Sequence, residues 1–148
     1  MIERRLLTAA IVAAAETTGI PVGLAHAPDG GGWQGQPNLT TSDFIPYGVV
    51  TPTTATQASG PLGDPQGDRQ IPYSVASFGV QAEQTEWVAD KLRAVIGALK
   101  KTTVVLGDGS YKIQQVRSDV IGGLTRVDQT EPPYWGQVDV LTLWLTPA

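Results

Sequence analysis

Cysteine is absent from this sequence of 148 residues, and histidine and charged residues are scarce. Without cysteine the chain has no disulfides, no thiolate metal sites and no cysteine nucleophile. The single histidine, His26, excludes a two-histidine metal site and a paired histidine relay within one chain. Charged residues make up only 16% of the chain, against about a quarter in typical soluble domains. A surface with so few charges is typical of a protein that is partly covered by other protein.

Basic clusters are also lacking. The net charge is −4, and the adjacent basic pairs are confined to Arg4-Arg5 and Lys100-Lys101. Tight binding of DNA or RNA requires a basic patch that neutralises phosphates, so this composition disfavours it. The apolar run over residues 6–15 is too short for a membrane span, which needs about 20 residues. We therefore expect neither specific nucleic-acid binding nor a membrane partner.

The candidates for chemistry have simpler explanations. No nucleophile is set beside a plausible base, which His26 alone could supply. Gly107-Asp108-Gly109 lacks the alternating acidic ligands of a calcium loop and is typical of a tight hairpin turn. Residues 60–68, GPLGDPQGD, precede a strand and have no following Lys-Ser/Thr, so they cradle no phosphate. We expect no catalytic, cofactor-binding or metal-binding residues, no cofactor, and no enzymatic activity.

The length predicts a single domain, residues 1–148, with its own core. The strongest pattern lies in residues 71–101, where a strand passes almost directly into an amphipathic helix. In the strand, Tyr73 and Val75 lie on one face, and Ala76, Phe78 and Val80 lie on the other. Both faces are apolar, so we expect both to be covered by other parts of the protein. The helix carries one apolar stripe, made of Val88, Leu92, Val95, Ile96 and Leu99. Trp87 lies beside this stripe and is expected in the core or at its rim.

The N-terminal segment has two interpretations. A basic start, the apolar run and Ala25-His26-Ala27 resemble a secretory signal, which would make the mature chain an exported module. Alternatively, residues 2–18 form a packing helix with Leu7, Ala10, Ile11 and Ala14 on one face, ended by Gly19. Glu16 and two threonines interrupt the apolar run before the supposed cleavage site, so we favour the packing helix.

The remaining segments predict strands joined by long loops. Strands are expected at residues 20–25, 44–51, 102–106, 110–117, 120–127 and 134–146. Three consecutive glycines predict a mobile surface loop around Trp33 within residues 28–43. Residues 52–68, rich in threonine, proline and glycine, predict a long excursion between two antiparallel strands. Together these elements predict an α+β fold: one mainly antiparallel sheet, two helices on one face, and long Gly/Pro-rich loops.

The segment YSVASFGVQAEQTEWVADKLRAVI resembles the strand-to-helix segment of siphophage tail terminator proteins. The matching positions are Ser77, Gly79, Glu83, Gln84, Trp87, Ala89, Asp90 and Arg93. The Ala-rich first helix, the sheet hairpin with its long loop and the apolar last strand are also similar in order. Other head-tail connector and minor tail proteins share this pattern.

The resemblance implies a structural virion protein of a bacteriophage with a long non-contractile tail. It implies a homo-oligomeric, hexameric ring that caps the finished tail tube and offers a surface to the head connector. The implied partners are other copies of this chain, the tail tube protein and the head-tail connector protein, with DNA passing through the lumen without specific binding. The implied location is the head-proximal end of the tail, after assembly in the host cytoplasm.

A ring subunit needs two different surface patches that complement each other around a rotation that closes. Trp33, Trp135, Leu143 and Leu145 are the predicted subunit-interface residues, because they are large apolar side chains in a loop or on the last strand. Two alternatives to the terminator ring are kept. One is another neck or minor tail subunit of the same fold, and the other is an exported binding module with a cleaved N-terminal signal.

Overall fold

The structure, a computed structural model, describes residues 4–35, 42–53, 69–107, 109–128 and 132–148. Within these ranges the chain forms two helices, α1 (Arg4–Glu16) and α2 (Ala82–Gly97). The strands of the described residues are β1 (Val22–Leu24), β2 (Gly32–Gln34), β3 (Asp43–Ile45), β4 (Tyr47–Pro52), β5 (Arg69–Gly79), β6 (Thr103–Val105), β7 (Ser110–Val120), β8 (Thr125–Val127) and β9 (Tyr134–Pro147). The predicted α+β class is confirmed.

The main sheet has the strand order β1-β4-β5-β9-β7-β6, with β8 also paired to β9. Its pairs are antiparallel, except that β1 lies parallel to β4. The last strand, β9, is interior: β5 lies along one edge and β7 and β8 along the other. The predicted hairpin between β6 and β7 and the antiparallel pairing of β4 with β5 are both present.

Both helices pack on the same face of this sheet, as predicted. The side chains of Tyr73 and Ser77 point to one side of β5 and are buried. The Thr8 hydroxyl of α1 is hydrogen-bonded to the Tyr73 hydroxyl at 2.9 Å. Leu92 of α2 lies over Gly48, the residue paired with Ser77. The core therefore fills the space between this face and the two helices.

The N-terminal segment belongs to the core, which confirms the packing helix over Arg4–Glu16. Leu7, Ile11 and Ala15 are fully buried, and each large aliphatic side chain so buried contributes about 1.5–3 kcal/mol. Gly19 follows with φ +79°, a left-handed conformation that ends the helix at little cost. Residues 1–3 lie outside the described residues.

The α2 stripe is confirmed as well. Val88, Leu92 and Ile96 are fully buried, and Val95 and Leu99 pack against the same core while remaining partly exposed. The alternation predicted for β5 is also present, and the predicted cover is complete on one face only. The helix-bearing face is buried, whereas the side chains of the opposite face are half-buried.

Two segments of the middle of the chain differ from the prediction. The sequence predicts one strand over residues 44–51, but β3 and β4 are separate because Pro46, which has no N–H, interrupts the pairing. β3 pairs instead with β2 in a separate two-stranded ribbon. The Gly-rich loop prediction is therefore wrong for Gly32–Gln34, since pairing with β3 satisfies its backbone. Residues 36–41 and 54–68, parts of the two predicted loops, lie outside the described residues.

The predicted strand over residues 120–127 is interrupted at its glycines. β7 ends at Val120 and β8 begins at Thr125. A Cβ added at Gly122 would lie 2.0 Å from the carbonyl oxygen of Val138. The backbone therefore crosses too close to β9 for any side chain at this position, and the crossing separates the two strands.

Candidate assembly surfaces

The strand-to-helix segment is held by its own side chains. Gln84 reaches back so that its Oε1 accepts a hydrogen bond from the backbone N–H of Val80 at 2.9 Å. Thr85 donates from Oγ1 to the carbonyl oxygen of Gln81 at 3.0 Å. A Cβ at Gly79 would lie 2.8 Å from Thr85 Oγ1. Gly79 and Gln84, both in the segment that resembles tail terminators, are thus required by the turn.

A buried ion pair ties α2 to β9. Arg93 Nη1 donates to Asp139 Oδ2 at 3.1 Å, with 25% and 2% of the two side chains exposed. The other carboxylate oxygen, Oδ1, accepts from Gln137 Nε2 and from the backbone N–H of Gly122, each at 3.0 Å. Arg93 also pairs with Asp90, three residues before it on α2. The three donors, Arg93, Gln137 and Gly122, make the Asp139 carboxylate a structural group and not a free base.

Trp87 is a large aromatic residue of the segment that the fold leaves at the surface. It is 48% exposed, and Lys91 Nζ lies 6.0 Å from its ring centroid. Glu83 and Glu86, both exposed, lie on the preceding turn. We call Glu83, Glu86, Trp87 and Lys91 the Trp87 patch. An exposed indole with charged neighbours is the composition of an interface anchor.

A second apolar surface is the side of the sheet opposite the helices, which we call the open face. On the interior strand β9 it leaves Val138 50% exposed and Trp144 36% exposed. Val120, paired with Val140 of β9, is also exposed. Antiparallel sheets commonly place polar side chains on the face that meets water, so apolar residues here mark a surface suited to another protein.

Polar groups lie beside Trp144 on the open face. The Asp119 carboxylate accepts hydrogen bonds from the Thr142 hydroxyl and from Arg117. These hydrogen bonds, with that of Thr142 the largest cause, hold the pKa of the Asp119 carboxyl below its ordinary value. The carboxylate is therefore ionised at neutral pH and already engaged, which suits a polar rim and not a general base.

The β2–β3 ribbon covers the other end of the open face with aromatic rings. Trp33 packs edge-on against Phe44 with ring centroids 5.1 Å apart, and Phe44 stacks on Tyr134 at 6.0 Å. Tyr47 stacks on Phe78 at 4.8 Å. Burial, and to a lesser degree Tyr134, raises the pKa of the Tyr47 hydroxyl. The cluster is an internal contact that fastens the ribbon to the main sheet.

The predicted interface residues fall into two groups. Leu143 and Leu145 are fully buried, so their prediction as subunit contacts is wrong. Both occupy positions of β9 that face the helices, and their partners in β5 are Ile71 and Arg69. Trp33 and Trp135 are half-buried, and their role at an interface stays a prediction.

The apolar residues that do reach the surface of β9 are the alternate ones. Val138 and Trp144 have the opposite parity to Leu143 and Leu145, as the period of two in a strand requires. The alternation is visible in the sequence, but the sequence does not predict whether the odd-numbered or the even-numbered residues of β9 face outward. The spacing of Trp87 predicts a position in the core or at its rim, and its exposure assigns it to the rim.

A third surface is a groove along the outer side of α1, about 570 Å³ in volume. Its apolar wall is formed by Ala9, Val12 and Ala13 of α1 together with Leu24 and Pro52. Charged residues lie at its two ends, with Arg4 and Arg5 at the N-terminal end of α1 and Glu16 at the C-terminal end. We call this feature the α1 groove.

The part of the chain that the structure describes contains no cluster of side chains suited to binding a metal ion. Within it, no three His, Asp or Glu side chains are grouped so that they could hold a metal ion. His26 is exposed, and its Nδ1 lies 2.9 Å from the carbonyl oxygen of Ala27. Among the described helices, neither has the length and apolar character of a membrane-spanning segment.

No family model matches this chain, and no curated protein matches it at a significant level.

Proposed function

We propose that this chain is a structural subunit of a phage tail, which assembles as a ring of identical copies, ends the tail tube and joins it to the head connector. The proposal begins from the resemblance of residues 73–96 to tail terminator proteins. One observation of the fold carries it further. The interior strand β9 leaves Val138 50% and Trp144 36% exposed on the open face, as expected of a protomer that buries apolar surface only on assembly.

The low content of charged residues supports the same role. Charged residues are 16% of the chain, and interface cores are depleted in charge relative to free surface. The carboxylates of Asp119 and Asp139 each accept hydrogen bonds from several donors, which supports a non-catalytic role. A neck or minor tail subunit with the same fold would use the same surfaces, so its position in the particle distinguishes the two.

The exported-module alternative loses support. It requires removal of the first 27 residues, yet Leu7 and Ile11 are fully buried in the core and Thr8 is hydrogen-bonded to Tyr73. Loss of α1 would uncover one end of the sheet's packed face, including the ring of Tyr73. We therefore propose that the functional protein retains α1.

The oligomeric state and the position in particles test the proposal. Light scattering and negative-stain imaging of the purified full-length chain are expected to give closed rings with the mass of six copies. Labelling of the chain in tailed particles is expected to mark one site, at the head-proximal end of the tail tube. A chain that stays monomeric at all concentrations and is absent from the particles would overturn the proposal. A label at another level of the neck would support the minor tail subunit.

A further inference from the structure

We infer that neighbouring copies join head to tail, with the Trp87 patch of one copy docked in the α1 groove of the next. This inference rests on the proposed function, because a repeated contact of this kind builds a ring. It assigns one occupant to the groove, a second copy of this chain. The two surfaces come from different helices, so the contact is heterologous, and a rotation that closes produces a cyclic assembly.

The apolar parts of the two surfaces match in kind. The groove wall is built of small and aliphatic side chains, with Ala9, Val12 and Ala13 supplied by α1. The opposing patch supplies one large aromatic side chain, Trp87, which is 48% exposed. Aromatic side chains that enter apolar pockets are the commonest anchors of protein interfaces. Because the side chains of Ala9 and Ala13 are small, the groove has space for the indole even when a second helix lies close to α1.

The charges complement each other at both ends. The groove is positive where α1 begins, at Arg4 and Arg5, and negative where it ends, at Glu16. The Trp87 patch has the reverse order, with Glu83 and Glu86 before the indole and Lys91 after it, where the charge of the exposed Asp90 is balanced by its ion pair with Arg93. A parallel alignment of the two helices places opposite charges together at each end. An antiparallel alignment would place like charges together, so the charges select the parallel contact.

The spacing of the charges fits this alignment. At about 1.5 Å of rise per residue, Arg5 and Glu16 are about 16 Å apart along α1, and Glu83 and Lys91 are about 12 Å apart along α2. The difference is within the reach of lysine, arginine and glutamate side chains. Opposite charges can therefore meet at both ends while Trp87 faces the apolar middle of the groove.

The first test removes one surface at a time in the full-length chain. Trp87→Ala deletes the anchor, and Ala13→Glu places a charge in the groove while retaining a good helix former. Each variant is expected to weaken association by about tenfold or more, the loss typical of an interface anchor. Thr125→Glu adds the same charge at an exposed position of β8 and is expected to leave the rings intact. Analytical ultracentrifugation measures the association, and circular dichroism verifies that each variant is folded.

Mixing the two variants tests the head-to-tail geometry. The Ala13→Glu chain still has Trp87, and the Trp87→Ala chain still has an intact groove. An equimolar mixture is therefore expected to form one-to-one dimers that cannot extend into rings. Rings that persist in both single variants would overturn this inference and leave the proposed ring standing. A wild-type chain that neither oligomerises nor enters particles would instead overturn the proposed function.

A charge exchange tests the orientation without touching the apolar contact. Glu16→Lys and Lys91→Glu each place like charges together at one end of the parallel contact, and both residues are exposed. Each single variant is expected to weaken association, and the double variant is expected to restore it. Because neither change alters the core, a failure to fold does not confuse the result. Equal weakening that simply adds in the double variant would contradict the parallel docking.

Discussion

Gly79 shows how a single residue sets the turn between β5 and α2. At this point the chain passes from a strand to a helix within a few residues, and the first turn of α2 lies directly against the strand end. The nearest atoms to a Cβ at Gly79 would be Thr85 Oγ1 at 2.8 Å, the Thr85 nitrogen at 3.0 Å and Gln84 Oε1 at 3.1 Å. Glycine is needed here for space, since its φ is not in the left-handed region.

We predict that Gly79→Ala lowers the free energy of unfolding by about 1–3 kcal/mol, the typical cost of inserting a methyl group into a packed site. The backbone of Thr85 and the hydrogen bond from Gln84 to Val80 would have to shift. Gly97→Ala is the matched control, because no atom lies within 4 Å of a Cβ there. In the last turn of α2 the same change is expected to raise stability by up to about 1 kcal/mol. Urea unfolding of both variants checks this, and equal effects would contradict the steric explanation.

At the scale of elements, a largely buried ion pair links α2 to β9. Apolar contacts place α2 over the sheet, but the hydrophobic effect that drives them is not directional. The Arg93–Asp139 pair, with the Asp139 carboxylate further held by Gln137 and Gly122, fixes the position of the helix on β9. Folding removes water from the Asp139 carboxylate. Its hydrogen bonds therefore mainly offset this desolvation cost and add little net stability.

We predict that Asp139→Asn destabilises the fold by about 1–3 kcal/mol, since it leaves the Arg93 guanidinium beside a neutral group at a largely buried site. Asp90 still pairs with Arg93, which moderates the loss. Arg93→Met in the Asp139→Asn background is expected to cost less than in the wild type, by about 1 kcal/mol in a double-mutant cycle. Thermal and urea unfolding supply the four free energies, and strict additivity would show that the pair is not coupled.

An exposed ion pair provides the control for this cycle. Arg126 Nε lies 2.9 Å from Asp128 Oδ1, and both side chains are more than half exposed. Asp128→Asn is expected to change the free energy of unfolding by no more than about 0.5 kcal/mol, as is usual for surface pairs. A loss at Asp128 as large as that at Asp139 would argue against burial as the cause.

At the scale of the whole molecule, two neighbouring residues of β9 serve opposite purposes. Leu143 is fully buried under the helices, and Trp144 is 36% exposed on the open face. One side chain completes the core of its own chain, and the other remains at the surface, where we propose that a partner binds. The same strand is therefore both the centre of the fold and part of a proposed assembly surface.

We predict that Leu143→Ala lowers stability by about 2–5 kcal/mol through the cavity that it leaves. Trp144→Gln is expected to cost less than about 1.5 kcal/mol and to keep the fold, while reducing incorporation of the chain into tail particles. Thermal unfolding and quantification of the chain in purified particles measure the two effects. Equal losses of stability would mean that Trp144 belongs to the core in solution, and normal incorporation of Trp144→Gln would remove the open face from assembly.

Local patterns in the sequence were sufficient for most elements. The apolar stripe of α2 lies on the sheet because a spacing of three and four residues produces one face on any helix. Gly19 ends α1 and the hairpin joins β6 to β7 for similarly local reasons. The β2–β3 ribbon escaped prediction because strand formation at Gly32–Gln34 depends on β3, a partner that local composition does not reveal.

Outside the β2–β3 ribbon, the sequence by itself determined which segments are helix and which are strand, because the period of the apolar side chains is a property of consecutive residues. Only the tertiary structure decided which side of each strand meets water. Alternation along β9 is compatible with either face being inward, and the choice depends on the helices that cover one face and on the register with β5 and β7. For this reason Leu143 and Leu145, predicted as contacts, lie in the core, while Val138 and Trp144 remain at the surface.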